Sequence, residues 1–223
     1  MSTKRTYGDG CGIARALDFI GERWALLVVR ELLLGPKRFT DLRAGLPGAS
    51  PNVLATRLRE LEEAHVVRHR KAGPPVGSQV YELTEWGAAL EPVLMQLGLW
   101  ATGAPETNRD PYRSPDSLAL WMRAAFSPAA EPGLATVIVL GIDDDEFVVR
   151  VNEGRLSVER GGADRFDARI AADLPTMTAV LKRRRSVSAA VADKSLTCSG
   201  DSGAVERLIR SLSTWHSAEP VTT

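Results

Sequence analysis

Several things are scarce in this 223-residue sequence, and each scarcity removes a class of function. No apolar run reaches the roughly 18 residues a membrane helix needs, and no apolar segment follows Lys4 and Arg5, so neither membrane spanning nor secretion is expected. With only two cysteines, Cys11 and Cys198, there is no disulfide framework, and the chain reads as cytoplasmic. Those cysteines and three histidines have no metal-ligand spacing, so no metal is expected. The phosphate-cradling and nucleophile-elbow glycine motifs are missing, and no cofactor is expected. One Gly-Asp-Ser-Gly stretch, Gly200 to Gly203, resembles a serine-protease nucleophile loop. That chemistry needs a histidine base held by an aspartate, and His65 and His69 belong to a different part of the chain. No catalytic residue is assigned.

Net charge is absent too, since 28 basic residues balance 28 acidic ones. A polyanionic partner must therefore be sought in local charge. Residues 37 to 71 carry eight basic and four acidic side chains, a modest positive patch.

What the chain does contain is periodicity, interrupted once. The proline-rich polar stretch "TGAPETNRDPYRSPD", residues 102–116, separates two patterned halves. The expected organisation is a first domain over 1–104, a linker over 105–115 and a second domain over 116–215. Before the linker the pattern predicts helices over Ile13 to Ile20, over "RWALLVVRELLLG" and within "RFTDLRAGLPG", the last with Thr40 or its neighbour near the cap and Pro47-Gly48 ending it. A fourth helix opens at Ser50-Pro51, where serine can accept an orphan N–H and proline sacrifices no needed donor. Two strands, "VVRHRK" and "QVYELT", follow, joined by residues 72–78. Thr84 should cap a fifth helix running to Trp100.

At about 100° per residue, Leu54, Leu58 and Leu61 of the fourth helix form one narrow stripe, Asn52, Thr56, Arg59 and Glu63 face away from it, and Ala55 is small enough for close approach. Two helices joined by a short turn, then a two-stranded ribbon, is the order of a winged helix-turn-helix. Its second helix enters a major groove about 12 Å wide while flanking segments hold phosphates. Asn52 can pair with adenine, Thr56 can bond or touch a thymine methyl, and Arg59 can reach guanine or phosphate. Arg57 lies nearer the stripe and either braces the fold or contacts phosphate. Lys37 and Arg38 before the third helix, and Arg68, Arg70 and Lys71 on the ribbon, supply phosphate contacts. With Ser50 and Pro51 at the helix start, these residues are the expected DNA-contacting set.

The linked segments Gly-x-x-Trp at Gly21, Gly-Pro-x-Arg-Phe at Gly35, Ser-Pro-x-x-Leu-x-x-Arg-Leu at Ser50 and Tyr-x-Leu-Thr-x-x-Gly at Tyr81 carry a resemblance. Over roughly residues 8–103 the chain closely resembles HxlR-type winged-helix transcriptional regulators. The resemblance implies a homodimer on double-stranded operator DNA, with the first and last helices of the domain forming much of the dimer contact. It implies core and interface roles for Trp24 and Trp100. Cys11 matches a cysteine that some relatives use as a thiol sensor; the other reading is an inert, packed thiol. The chain departs from the family at Asn52, often lysine, and at His65, usually a glycine cap.

In the second half a helix over Ser114 to Phe126 precedes four strand-like runs, "LATVIVLGI", "EFVVRVNEG", "RLSVERG" and "FDARIAA", expected to form an antiparallel meander. A helix from Leu174 to Arg185, a strand at "SLTCSGD" and a helix from Ala204 to Leu212 complete an α+β fold. This half resembles, faintly, the sterol carrier fold. The resemblance implies an apolar tunnel for a hydrophobic small-molecule effector lined by Trp121, Phe126, Met177 and Leu181; an ordinary core is the other reading. The basic run Lys182 to Arg185 is read as complementing a helix C-terminus. Function is expected to be regulation of transcription, with a lipid-carrier or enzyme-like module that retains a DNA-binding half as the competing class.

Overall fold

The computed structural model describes residues 6–71, 78–101 and 114–213 and falls into two compact units, Met1–Leu94 and Met95–Thr223. The expected linker lies mostly outside the described residues, as do residues 72–77 at the tip of the ribbon.

In the first unit the elements are α1 (Gly12–Ile20), α2 (Ala25–Leu32), α3 (Phe39–Gly45), α4 (Pro51–Glu63), β1 (Val67–Lys71), β2 (Gln79–Leu83), α5 (Glu85–Ala88) and the start of α6 (Glu91–Ala101). Val28, Val29 and Leu32 of α2, Leu42 of α3 and Leu54, Leu58 and Leu61 of α4 form one buried cluster that closes on Val66 and Val67. β1 and β2 pair antiparallel, with Arg68 opposite Glu82 and His69 opposite Tyr81. Lys37 adds a third rung: its amide donates to the Tyr81 carbonyl at 2.9 Å and its carbonyl accepts from the Tyr81 amide at 2.8 Å.

Two local expectations shift. The cap of α3 is Arg38, whose backbone amide donates to Asp41 Oδ2 at 3.1 Å, so the capping oxygen belongs to Asp41 and not to Thr40. The single helix expected from Thr84 to Trp100 is two. Thr84 caps α5 by accepting from the Gly87 amide at 3.0 Å, and the chain turns before Pro92 re-enters helix in the first turn of α6. A continuous helix would leave the Ala88 carbonyl facing a proline ring with no N–H to give. At the end of α4, His65 takes the left-handed conformation (φ 57°) where the family usually has glycine, and the Thr84 hydroxyl donates to its carbonyl at 2.7 Å.

The second unit contains α7 (Pro115–Ala125), a 3₁₀ turn (Pro128–Ala130), β3 (Thr136–Ile142), β4 (Asp145–Asn152), β5 (Arg155–Arg160), β6 (Ala168–Ala172), α8 (Leu174–Leu181), α9 (Val187–Ala192), β7 (Leu196–Gly200) and α10 (Ser202–Ser211). It is α+β, with the strand order β5-β4-β3-β6-β7. β3, β4 and β5 form the expected antiparallel meander, but β6 leaves it and pairs parallel to β3. Asp167 explains the register: its amide donates to the Val137 carbonyl at 2.8 Å while its carboxylate accepts from the Val137 amide at 2.8 Å and the Thr136 hydroxyl at 2.9 Å. One residue thus clamps the start of β6 to the start of β3. Helix α7 lies against β5, α8 and α10 against β6, and α9 against β7. Asp116 of α7, fully buried, receives the Arg160 guanidinium of β5, which also reaches Asp145 of β4 at 2.6 Å and lies over the Phe147 ring. Burial works against the Arg160 charge, yet these two carboxylates outweigh it and raise its pKa above the usual arginine value.

In the first unit a carboxylate buried without exposure, Glu31 on α2, accepts from Lys37 Nζ and from Arg30 Nη2, each at 2.7 Å. A Cβ on residue 45 would lie 2.4 Å from Glu31 Oε2, so Gly45 is what lets α3 approach this charge. Glu31→Ala removes the carboxylate that the buried Lys37 ammonium and Arg30 share, and should destabilise the unit by about 3–5 kcal/mol in chemical denaturation. Replacing Glu31 with leucine and Lys37 with methionine together should recover most of that loss, because the pair's attraction is offset by its desolvation.

Candidate nucleic-acid interface

The candidate site is built on the rotation of α4 about its own axis. Its leucine stripe is seated in the core, with Leu54, Leu58 and Leu61 at 1% exposure or less, which turns the opposite face away from that core. Ser50 caps the helix, its hydroxyl accepting from the Val53 amide at 3.3 Å, and Pro51 occupies the first turn. Pro51, Asn52, Ala55 and Arg59 are exposed and Thr56 is half-buried. Arg59 Nη2 lies 3.4 Å from the Thr56 hydroxyl, so the two side chains share one patch. An amide, a methyl, a hydroxyl and a guanidinium within two turns make a surface suited to base edges.

Arg57 resolves toward bracing. Its side chain is 11% exposed, bonded to Glu60 on the same helix and 3.5 Å from Glu22 in the turn between α1 and α2. Lys37 is a correction. Expected on the surface as a phosphate contact, it is 6% exposed with its ammonium on Glu31, and its contribution is to the β-ribbon and the buried ion pair. Arg38 remains exposed, bonded through Nε and Nη2 to Asp41 at 2.9 and 2.8 Å.

On the ribbon, alternation divides the expected basic set. Arg68 and Arg70 share one face, and Lys71 shares the other with His69, which stacks on Tyr81 at 4.5 Å. A residue missed in the sequence joins the first face. Glu82, 9% exposed, accepts from Arg68 Nε at 2.6 Å and from Arg70 Nε at 2.7 Å. Burial pushes the Glu82 carboxyl up, but bonds from Arg70 and Arg68 outweigh it and hold it below the usual glutamate range. Both bonds use Nε, which leaves each guanidinium with further N–H groups pointing outward. The signal in the sequence was the pair of arginines two apart on one strand facing an acid on the next, readable only once the register is known.

Away from this surface, Cys11 is exposed and its Sγ accepts from the Ala14 amide at 3.3 Å at the start of α1. Trp24 is half-buried, in a left-handed conformation, and its ring faces Gly48 in the turn between α3 and α4. Trp100 is 77% exposed on α6.

In the second unit the four expected pocket residues line neither of the two clefts described below. Met177 and Leu181 are fully buried core, Phe126 bridges to Leu212 through its backbone, and Trp121 lies under the Lys182 ammonium, 5.0 Å from the ring centre. Among the described residues, no cluster of histidine, cysteine or carboxylate side chains could hold a metal ion, and no helix is long and apolar enough to cross a membrane.

Comparison with known proteins gives a family match that covers most of the first unit and continues past Leu94. The HxlR-like helix-turn-helix family model matches residues 19–108. The uncharacterised HTH-type transcriptional regulator YvaP of Bacillus subtilis is 42% identical over 89 residues, which is 40% of this chain and 82% of YvaP. The HTH-type transcriptional regulator YodB of the same organism is 36% identical over 86 residues, 39% of this chain and 77% of YodB. A solved structure of reduced YodB is 33% identical, covering 44% of this chain and 97% of that one, with a TM-score of 0.39. The family model's span takes in α2 to α4 and the ribbon, and the chain belongs to the HxlR-like helix-turn-helix family of transcriptional regulators.

Proposed function

We propose that this regulator is a homodimeric repressor that reads a two-fold related operator through α4 and steadies itself on phosphates with Arg38, Arg68 and Arg70. The observation that carries the reading is the patch of exposed Asn52, Ala55 and Arg59 around the half-buried Thr56, on a helix whose opposite face is locked in the core. In helix-turn-helix dimers the half-sites lie about one DNA turn apart. Two apolar stripes support self-association: Ile13 (75% exposed) and Leu17 on α1, and Val93, Leu97 and Trp100 at helical spacing on α6. Occupancy of a promoter-proximal operator would exclude polymerase. A small-molecule effector on the second unit would act by altering the separation of the two reading helices. Thiol sensing at Cys11 is not needed for this reading.

Gel shifts on the DNA upstream of the protein's own gene, at several salt concentrations, test it. A lipid carrier or enzyme with a vestigial DNA-binding half should show only nonspecific retention. Arg59→Ala should narrow the gap between operator and scrambled DNA by about 1–3 kcal/mol. Arg70→Ala should weaken binding to all sequences alike and reduce the slope of log K against log salt by about 1. Removing the tether gives a different signature: Glu82→Gln should raise affinity for scrambled DNA at low salt and steepen that slope, because a negative charge beside two phosphate-contacting arginines is gone. In sedimentation velocity the chain should run as a dimer. Leu97→Asp should shift it toward monomer and cost on the order of 100-fold in operator affinity through lost bivalency.

A further inference from the structure

Among the described residues of the second unit two clefts stand out, and their chemistry separates them. The larger, about 380 Å³, is bordered by Asp167 and Asp201 as well as Arg207 and Arg210. Its carboxylates are already in use: Asp167 clamps β6 to β3, and Asp201 caps α10 by accepting from the Ala204 amide at 3.1 Å. Signs are mixed there and the acceptors are engaged, so it points to no ligand class.

The smaller, about 270 Å³, lies between the α8–α9 turn and α10. Val180, Val187 and Ile209, each under 9% exposed, supply its apolar lining, and Arg183, Arg185 and Arg210 border it from two segments far apart in sequence. One acid, Glu206, also lines it. The turn that carries the first two arginines is fixed: the amides of Arg184 and Arg185 both donate to the Ala179 carbonyl, at 2.8 and 3.2 Å, and Arg183 sits at φ 56°. That left-handed conformation is costly for a residue with a Cβ and persists where surroundings over-determine it. Here Arg183 is held by donating through Nη2 to the Leu212 carbonyl at 2.5 Å, just past the end of α10. Arg185 is bonded to Asp193, and Arg210 to Glu131 at 2.5 Å. Each planar guanidinium has five N–H donors, so these bonds orient the arginines and leave donors for a bound oxyanion.

We propose that this cleft binds a small amphipathic organic acid, its hydrocarbon tail on Val180, Val187 and Ile209 and its carboxylate among Arg183, Arg185 and Arg210. The volume falls just below the range of about 300–1,000 Å³ typical of drug-sized ligands, so the ligand is small. This names the chemical class and the place of the effector in the function proposed above, and relies on that reading only for the consequence of binding. The site differs in position and in charge from an apolar tunnel.

Calorimetric titration of the full chain without DNA tests the site independently of the operator. Octanoate should bind, whereas 1-octanol, which keeps the tail, and inorganic phosphate, which keeps only the anion, should bind at least tenfold more weakly. Arg210→Gln and Arg185→Gln, each checked for unchanged circular dichroism, should weaken octanoate by on the order of tenfold. Absence of octanoate binding, equal binding of octanol, or full affinity in both variants overturns the assignment. Sequence-specific gel shifts would stand in any of those cases, so failure of the site and failure of the DNA-binding reading are distinguishable.

Discussion

The seating of α4 is the constraint from which the interface follows. Three leucines spaced along one helix can be buried together in only one rotation of its axis, and that rotation sends Asn52, Ala55, Thr56 and Arg59 outward. The helix is held against slipping by Ser50 at its start, by the left-handed His65 past its end and by Arg57, whose guanidinium reaches Glu60 and Glu22. The proposed base-reading surface needs no special chemistry of its own. It is the back of a helix whose front has no freedom, and preorganisation of this kind lowers the ordering cost of binding.

What could be read in advance follows how local the controlling physics is. The α4 start, its buried stripe and the ribbon strands depend on neighbours within a few residues, and they were legible. The break between α5 and α6 was also local, with Pro92 as its signal, but the strong periodicity on either side masked it. Non-local features were not readable. The pairing of β6 with β3 depends on Asp167 meeting Val137, thirty residues away, and no alternation pattern within β6 specifies its neighbour. Lys37 looked like surface charge because a lysine beside a turn usually is; a carboxylate buried on α2 reversed that. In the second unit the apolar residues at helical spacing fill the core, and the cleft that remains is bordered by arginines first read only as helix-end charge.

The same internal pairing bears on how the protein would bind DNA. Residues 37 to 71 carry eight basic side chains, a patch that suggests strong attraction to any polyanion. Folding spends part of it. Lys37 is committed to Glu31, Arg38 to Asp41, Arg57 to Glu60 and Glu22, and Arg68 and Arg70 share Glu82. Two of those commitments, at Lys37 and Arg57, bury the cation; the others fix the guanidinium while leaving it outward-facing. Counterion release scales with the phosphates actually neutralised, and each retained carboxylate opposes the approach of a phosphate to its arginine. The expected result is weak attachment to arbitrary DNA, with geometry preserved for the duplex that also satisfies Asn52, Thr56 and Arg59. For a protein with no net charge, the proposed reading makes discrimination rest on the fit at base edges more than on the electrostatic background, and gives the Glu82 carboxylate inside the ribbon the part of keeping that background low.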